Sequence, residues 1–183
     1  VMRLLLHTCC APCGIVPFDV LREEGHAVTA YYYNPNIHPY KEFLRRKETL
    51  EGYAASIRLP LIVEEEYALE DFLGRVAADP AGRCPHCYDL RLRKTAQKAR
   101  ELGMEGFSTT LLISPYQDHE TLRRAGEAAG REAGVPFVYA DFRPRFREGQ
   151  QRARELELYR QPYCGCIYSE KDRYYKPKGG SKR

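Results

Sequence analysis

No stretch of the 183-residue chain approaches the ~20 consecutive apolar residues that a membrane helix needs. The longest apolar run near its start, Leu4 to Leu6, is too short for the core of a signal peptide. With no export signal the expected location is the reducing cytoplasm, and no membrane is expected as a partner. Low-complexity linkers, internal repeats and a second domain are lacking too. One domain is therefore expected over residues 1–175, followed by a basic flexible tail at 176–183. That length buries a real core without disulfides. Asparagine is confined to Asn34 and Asn36, and methionine is limited to 2 residues. Such scarcity hints at a thermophile, a setting in which intracellular disulfides do occur.

What the chain does have is sulfur, with 7 cysteines. An odd count, with Cys9 and Cys10 adjacent, suits simple pairing badly. In a reducing compartment such thiols point to metal binding or catalysis. They form three groups: Cys9, Cys10 and Cys13; Cys84 and Cys87; Cys164 and Cys166. Cys84-Pro-His-Cys87 has the spacing that grips a metal ion or cluster, although alone it also fits a redox dithiol. A free cysteine is often just a small buried apolar residue. Three groups flanked by Pro or Gly turns argue for ligands instead. An all-thiolate set favours zinc or iron–sulfur over hard cations. Four sulfurs complete a zinc site or a cubane cluster. The remaining three, alone or with a carboxylate or imidazole, suit a second metal with an open position. Zinc has no redox chemistry, and the residues alone leave both metals open.

The net charge is only +4 but unevenly spread, with basic stretches at Arg91–Arg93–Lys94 and Arg143–Arg145–Arg147. Residues 171–183 mix cations with tyrosines. Cations engage phosphates and tyrosine faces stack on bases, so RNA is a reasonable partner; a solvated, frayed terminus reads the same residues differently. Along the chain an amphipathic stretch, a Gly or Pro stop and a β-rich run recur. Helices are predicted at Phe18–Glu24, Tyr40–Ile57, Asp89–Leu102, His119–Ala133 and about Glu148–Tyr159. Strands are predicted at Met2–Thr8, Ala27–Tyr33, Leu61–Glu65, Gly106–Ile113 and Pro136–Phe142. The alternation implies an α/β fold with a doubly wound, mostly parallel five-stranded sheet. Its crevice lies beyond the strands' carboxyl ends, where the first thiol group and the Thr109–Gln117 turn both fall.

Four ordered motifs now stand together: His7-Thr-Cys-Cys-Ala-Pro-Cys13, Arg83-Cys-Pro-His-Cys-Tyr-Asp-Leu-Arg91, Thr109-Thr-Leu-Leu-Ile-Ser-Pro-Tyr-Gln117 and Gln161-Pro-Tyr-Cys-Gly-Cys166. The combination, spanning residue 2 to about 175, resembles the QueH family of epoxyqueuosine reductases. The resemblance implies a Rossmann-like fold related to the HUP and ATP-pyrophosphatase group. It also implies a 4Fe–4S cluster beside a second metal ion, with iron expected there. The implied reaction is two-electron removal of the epoxide oxygen from epoxyqueuosine at the tRNA wobble position, without cobalamin and with an external low-potential electron donor. The wobble nucleotide is expected to be flipped out.

By that resemblance all seven cysteines are carried over as ligands. Cys10, Cys84, Cys87 and Cys164 are expected around the cluster, and Cys9, Cys13 and Cys166 near the second metal. A carboxylate is expected in place of Cys13 in some relatives. Tyr116, Asp118 and His119 are candidates to donate protons or orient the base, although Asp118 also reads as a helix N-cap. His7 is either a partner behind a ligand or a strand end, and His86 a ligand or a solvent-facing loop residue. Tyr163 reads as a stacking or a core residue. Arg91 and Arg93 read as phosphate contacts or a solvated helix face. Two rival functions fit parts of the pattern. A tRNA-thiolating ATP pyrophosphatase needs a Ser-Gly-Gly-x-Asp-Ser-type loop, and Thr8-Cys-Cys-Ala-Pro-Cys-Gly14 stands in its place, which disfavours ATP. A zinc-stabilised RNA-binding module without catalysis is the other.

Overall fold

Leu4, Leu5 and Leu6 are fully buried in β1 (Arg3–His7), as a central parallel strand covered on both faces requires. The computed structural model describes residues 1–177; positions 178–183 of the expected tail lie outside the described residues. β1 pairs in parallel with β2 (Ala27–Tyr32) on one side and β4 (Gly106–Thr109) on the other. β3 (Leu61–Val63) extends the sheet beyond β2, giving the order β3-β2-β1-β4. The chain runs outward from β1 to β3 and then returns to β1's far side. Its reversal therefore falls between β1 and β4, where open α/β sheets place their crevice.

Helices cover the sheet. α1 (Ala11–Glu23) follows β1 and α2 (Tyr40–Ser56) follows β2. α3 (Leu69–Val76) and α4 (Arg83–Glu101) carry the chain from β3 back to β4. Next come α5 (His119–Ala133), α6 (Phe146–Glu155) and α7 (Ile167–Tyr174). α1 packs against α2 and α6, and α4 against α5. Among the described residues no helix is long and apolar enough to cross a membrane.

The sheet has four strands, not the expected five. The segment predicted at Pro136–Phe142 makes only an isolated parallel bridge, Phe107 with Phe137. Its ladder stops at two bonds: Phe107 N–H to the Pro136 carbonyl, and Val138 N–H to the Phe107 carbonyl. Pro136 brings no N–H of its own, and Phe137 is drawn against α5, where a Cβ on Gly126 would lie 2.6 Å from its ring. The strand predicted at Gly106–Ile113 ends at Thr109, and residues 110–113 turn into a 3-10 helix. Helices also begin earlier than their patterns suggested. α1 starts at Ala11 because Pro12 suits a first turn, and α4 starts at Arg83, which places both its cysteines on helix.

Candidate metal centre

β1 delivers Cys9 to the turn above the crevice, Cys10 is the N-cap of α1, and Cys13 lies in that helix's first turn. Three residues apart, Cys10 and Cys13 share a helix face. The sulfurs of Cys9, Cys10 and Cys13 all lie within 4.8 Å of one another, and all three are buried. Cys9 and Cys10 Sγ are 3.8 Å apart. Two thiolates on one tetrahedral ion, with bonds of about 2.3 Å, stand roughly 3.8 Å apart. The trio therefore fits a metal. Hydrogen bonds to Cys10 and Cys13 hold Cys9 well below the ordinary thiol range, so it ionises first.

The other four cysteines form a looser group. Cys84 and Cys87 share the first turns of α4, and Cys164 and Cys166 precede α7. Cys87 and Cys166 pack together with Phe72 and Val76 of α3. Burial lifts Cys87 to about 12, and it also feels Cys164, Cys166 and Cys84. Among the described residues only Cys9, Cys10 and Cys13 bring three ligand atoms within that 4.8 Å span. Cys10 thus stands with Cys9 and Cys13, whereas the expected division put it with Cys84, Cys87 and Cys164.

Two elements hold the last pair in place. Arg46, buried in α2, donates to the carbonyls of Cys164 at 2.7 Å and Tyr163 at 2.9 Å. Its Nε is anchored on Glu42 at 2.8 Å. His38 accepts the Ile167 N–H at Nδ1, its own N–H meets the Gly165 carbonyl, and the Tyr163 hydroxyl donates to its carbonyl. Gly165 packs closely there, since a Cβ would come within 3.2 Å of Ile37.

The groups meet at a cavity of about 700 Å³ lined by Cys9, Cys13 and Cys164. Arg91 also lines it while only 2% exposed. Among the described residues its side chain makes one hydrogen bond, Nε–H to the Cys87 carbonyl at 3.2 Å, and no carboxylate pairs with it. Burial works against its charge, and Cys87, Cys164 and Cys9 more than offset that. Two glutamine amides point at sulfur. Gln161 Nε2 lies 3.5 Å from Cys13 Sγ, and Gln117 Nε2 lies 3.6 Å from Cys164 Sγ. The Tyr88 hydroxyl donates to Gln117 Oε1 at 2.6 Å, which turns that amide's NH2 toward the sulfur.

Behind the trio, His7 is fully buried and ties the strand ends together. Its Nδ1 meets Thr109 Oγ1 at 2.9 Å, and its Nε2 faces the Tyr33 carbonyl and Asn34 Oδ1. Burial, then the Arg91 charge, push its pKa down to about 4. Tyr116 lines the cavity and is 84% exposed. Asp118 and His119 do not line it. Asp118 caps α5, accepting from Thr121 N–H and hydroxyl, and His119 Nε2 meets the Ser114 carbonyl. His86 is exposed outside the cavity. Tyr163 lines the cavity, and Arg93 is tied to Asp89 and Glu132. Arg91, buried at the cavity, is thus not on a solvated helix face. Gln117 and Gln161 stand at the ends of two motifs, where the sequence assigned them no role; Gln161 lies three positions before Cys164, whereas Gln117 and Arg46 have no thiol near them in the sequence.

Fold and site together define a class: an α/β protein whose crevice gathers thiols able to hold a metal. The family model for epoxyqueuosine reductase QueH matches residues 4–172. The chain is 44% identical over 175 residues to the epoxyqueuosine reductase QueH of Dehalococcoides mccartyi, covering 96% of each chain. It is 37% identical to that of Histophilus somni, covering 93% of this chain and 73% of the relative. The fold is shared with a solved structure of a predicted tRNA methyltransferase subunit from Methanocaldococcus jannaschii (TM-score 0.50, 9% identity, 83% of this chain and 75% of that one). The chain belongs to the QueH family of epoxyqueuosine reductases, and it is an oxidoreductase.

Proposed function

We propose that the chain reduces epoxyqueuosine to queuosine at the tRNA wobble position, with electrons from an external low-potential donor. The carrying observation is the buried thiol trio opening, with Cys164, into one cavity beside an arginine that has no carboxylate partner. In balance, the substrate takes two electrons and two protons, both C–O bonds of the epoxide break, and the oxygen leaves as water. We assign Cys9, Cys10 and Cys13 to a single metal, iron by preference, because their sulfurs already match one ion's span. Cys84, Cys87, Cys164 and Cys166 go to a 4Fe–4S cluster, whose thiolates each bind a separate iron and stand further apart. When bound, the iron would polarise the epoxide oxygen and the cluster would pass electrons singly.

The chain's own residues supply the rest. Gln117 and Gln161 donate N–H groups to sulfurs on opposite groups, which would steady those sulfurs as metal-bound thiolates. Arg91 offsets their charge. Tyr116 is the one of the three candidate proton-handling residues that faces the cavity.

Protein prepared without oxygen should be brown, contain more than four irons, and convert epoxyqueuosine-containing tRNA given a low-potential reductant, read by nucleoside mass spectrometry. Cys84→Ala should abolish the cluster's absorbance, whereas Cys10→Ala should keep it while losing about one iron. Colourless protein holding zinc would instead favour a non-catalytic RNA-binding module.

A further inference from the structure

Four arginines line the cavity: Arg91 at its buried floor, and Arg154, Arg160 and Arg173 exposed around it. None of the four has a carboxylate in ion-pair range among the described residues. Other arginines nearby differ: Arg123, Arg143, Arg145 and Arg152, the last on α6 itself, each pair with an acid. The cavity's one carboxylate, Asp172, is taken by Arg83 at 2.6 Å. Three unpaired cations around one opening favour an arriving anion. The three outer arginines come from α6, the 156–163 linker and α7, so they sit on different elements around one opening. Tyr116 lines the same cavity, 84% exposed, its ring edge-on to Phe146 at 5.9 Å. An aromatic face left open to solvent at a cationic opening suits an unstacked base.

We infer that Arg154, Arg160 and Arg173 clamp the phosphates flanking one nucleotide of a single-stranded RNA loop, and that Tyr116 stacks on a neighbouring base. The ligand's identity rests on the proposed tRNA reaction; the site rests on the arginines. A cavity of about 700 Å³ admits one extruded nucleotide and not a duplex. Paired RNA keeps its bases stacked inside the helix, so it offers Tyr116 no open face.

The test is fluorescence-anisotropy binding of the full chain to an unmodified anticodon stem-loop RNA and to a blunt RNA duplex of equal length, across a salt series. The expected result is preference for the stem-loop. Arg154→Gln, Arg160→Gln and Arg173→Gln should each flatten the log K against log salt slope by about 0.7, and the triple variant by about 2. Arg123→Gln, paired on α5, should leave the slope alone. Tyr116→Ala should weaken binding about tenfold while Tyr116→Phe retains it. Equal binding of duplex, or an unchanged slope in the triple variant, would overturn the clamp. The two proposals also fail separately. A clamp that behaves as expected in a protein unable to reduce the epoxide leaves the site intact and removes the reaction. Full-rate turnover of tRNA at low concentration by the triple variant does the reverse.

Discussion

A guanidinium only 2% exposed normally finds a carboxylate, because an unpaired buried ion costs several kcal/mol. Arg91 finds sulfur instead, feeling Cys87, Cys164 and Cys9 from both thiol groups. The dependence should be mutual, and it separates two states of the protein. Without metal the thiols can take up protons, so removing the cation strands no anion. With metal they stay ionised, and losing Arg91 uncovers buried negative charge. Arg91→Met should therefore leave metal-free protein at least as stable, since it removes a buried cation with no counter-charge, while destabilising the loaded protein by about 3–5 kcal/mol. Calorimetry on both forms checks this, and equal losses in the two would rule out sulfur as the counter-charge.

At the scale of elements, the Cys164–Cys166 loop depends on one imidazole. His38 Nε2 donates to the Pro35 carbonyl at 2.8 Å, which leaves Nδ1 free to accept from Ile167 N–H at 3.2 Å. Burial lowers the pKa of His38, the Pro35 carbonyl pulling weakly the other way. The unfolded chain therefore binds this proton at a higher pH, near 6.5, than the folded one does. Stability contributed by neutral His38 is complete above that value and drains away as pH falls below it. A proton on Nδ1 would face the Ile167 N–H and release the loop. Hydrogen exchange at residues 163–174 should rise from pH 7 to pH 5 in the wild type, after correction for intrinsic rates, and respond less in His38→Gln. The sequence made none of this visible, since His38 precedes α2 by two positions and meets Gly165 only through the fold. β1 and β2 were legible because both are continuous apolar runs, and α5 because Leu122, Ala129 and Ala133 recur at helical spacing before Gly134 in left-handed backbone. α3 was not: Phe72 and Val76 are its only buried residues, too few to establish a period. The three cysteine groups were visible as groups. That Cys10 lies with Cys9 and Cys13 was not, because it depends on α1 beginning at Ala11, with Cys10 as its N-cap.

For the whole molecule, the cysteine segments 9–13, 84–87 and 164–166 belong to three separate parts of the chain, and only the first is fixed by the sheet. β1 is held by two neighbouring strands and a fully buried leucine run. α7 has no buried residue at all. It reaches the body through Cys166, the Arg46 and His38 hydrogen bonds, and the Arg83–Asp172 ion pair, which is too exposed to contribute much. A metal bound by thiols from α4 and the α7 approach would then close a long loop and stabilise the native state by mass action. Its effect should be uneven. Stripping metal with a chelator should lower Tm and increase hydrogen exchange strongly across residues 163–174, while β1 stays protected. Arg173 lies in that segment and Arg160 just ahead of it, so metal removal should also flatten the salt dependence of stem-loop binding, which couples RNA recognition to a loaded centre. Uniform exchange along the chain after chelation, with the salt slope unchanged, would mean that α7 docks without the metal and that the two sites are independent.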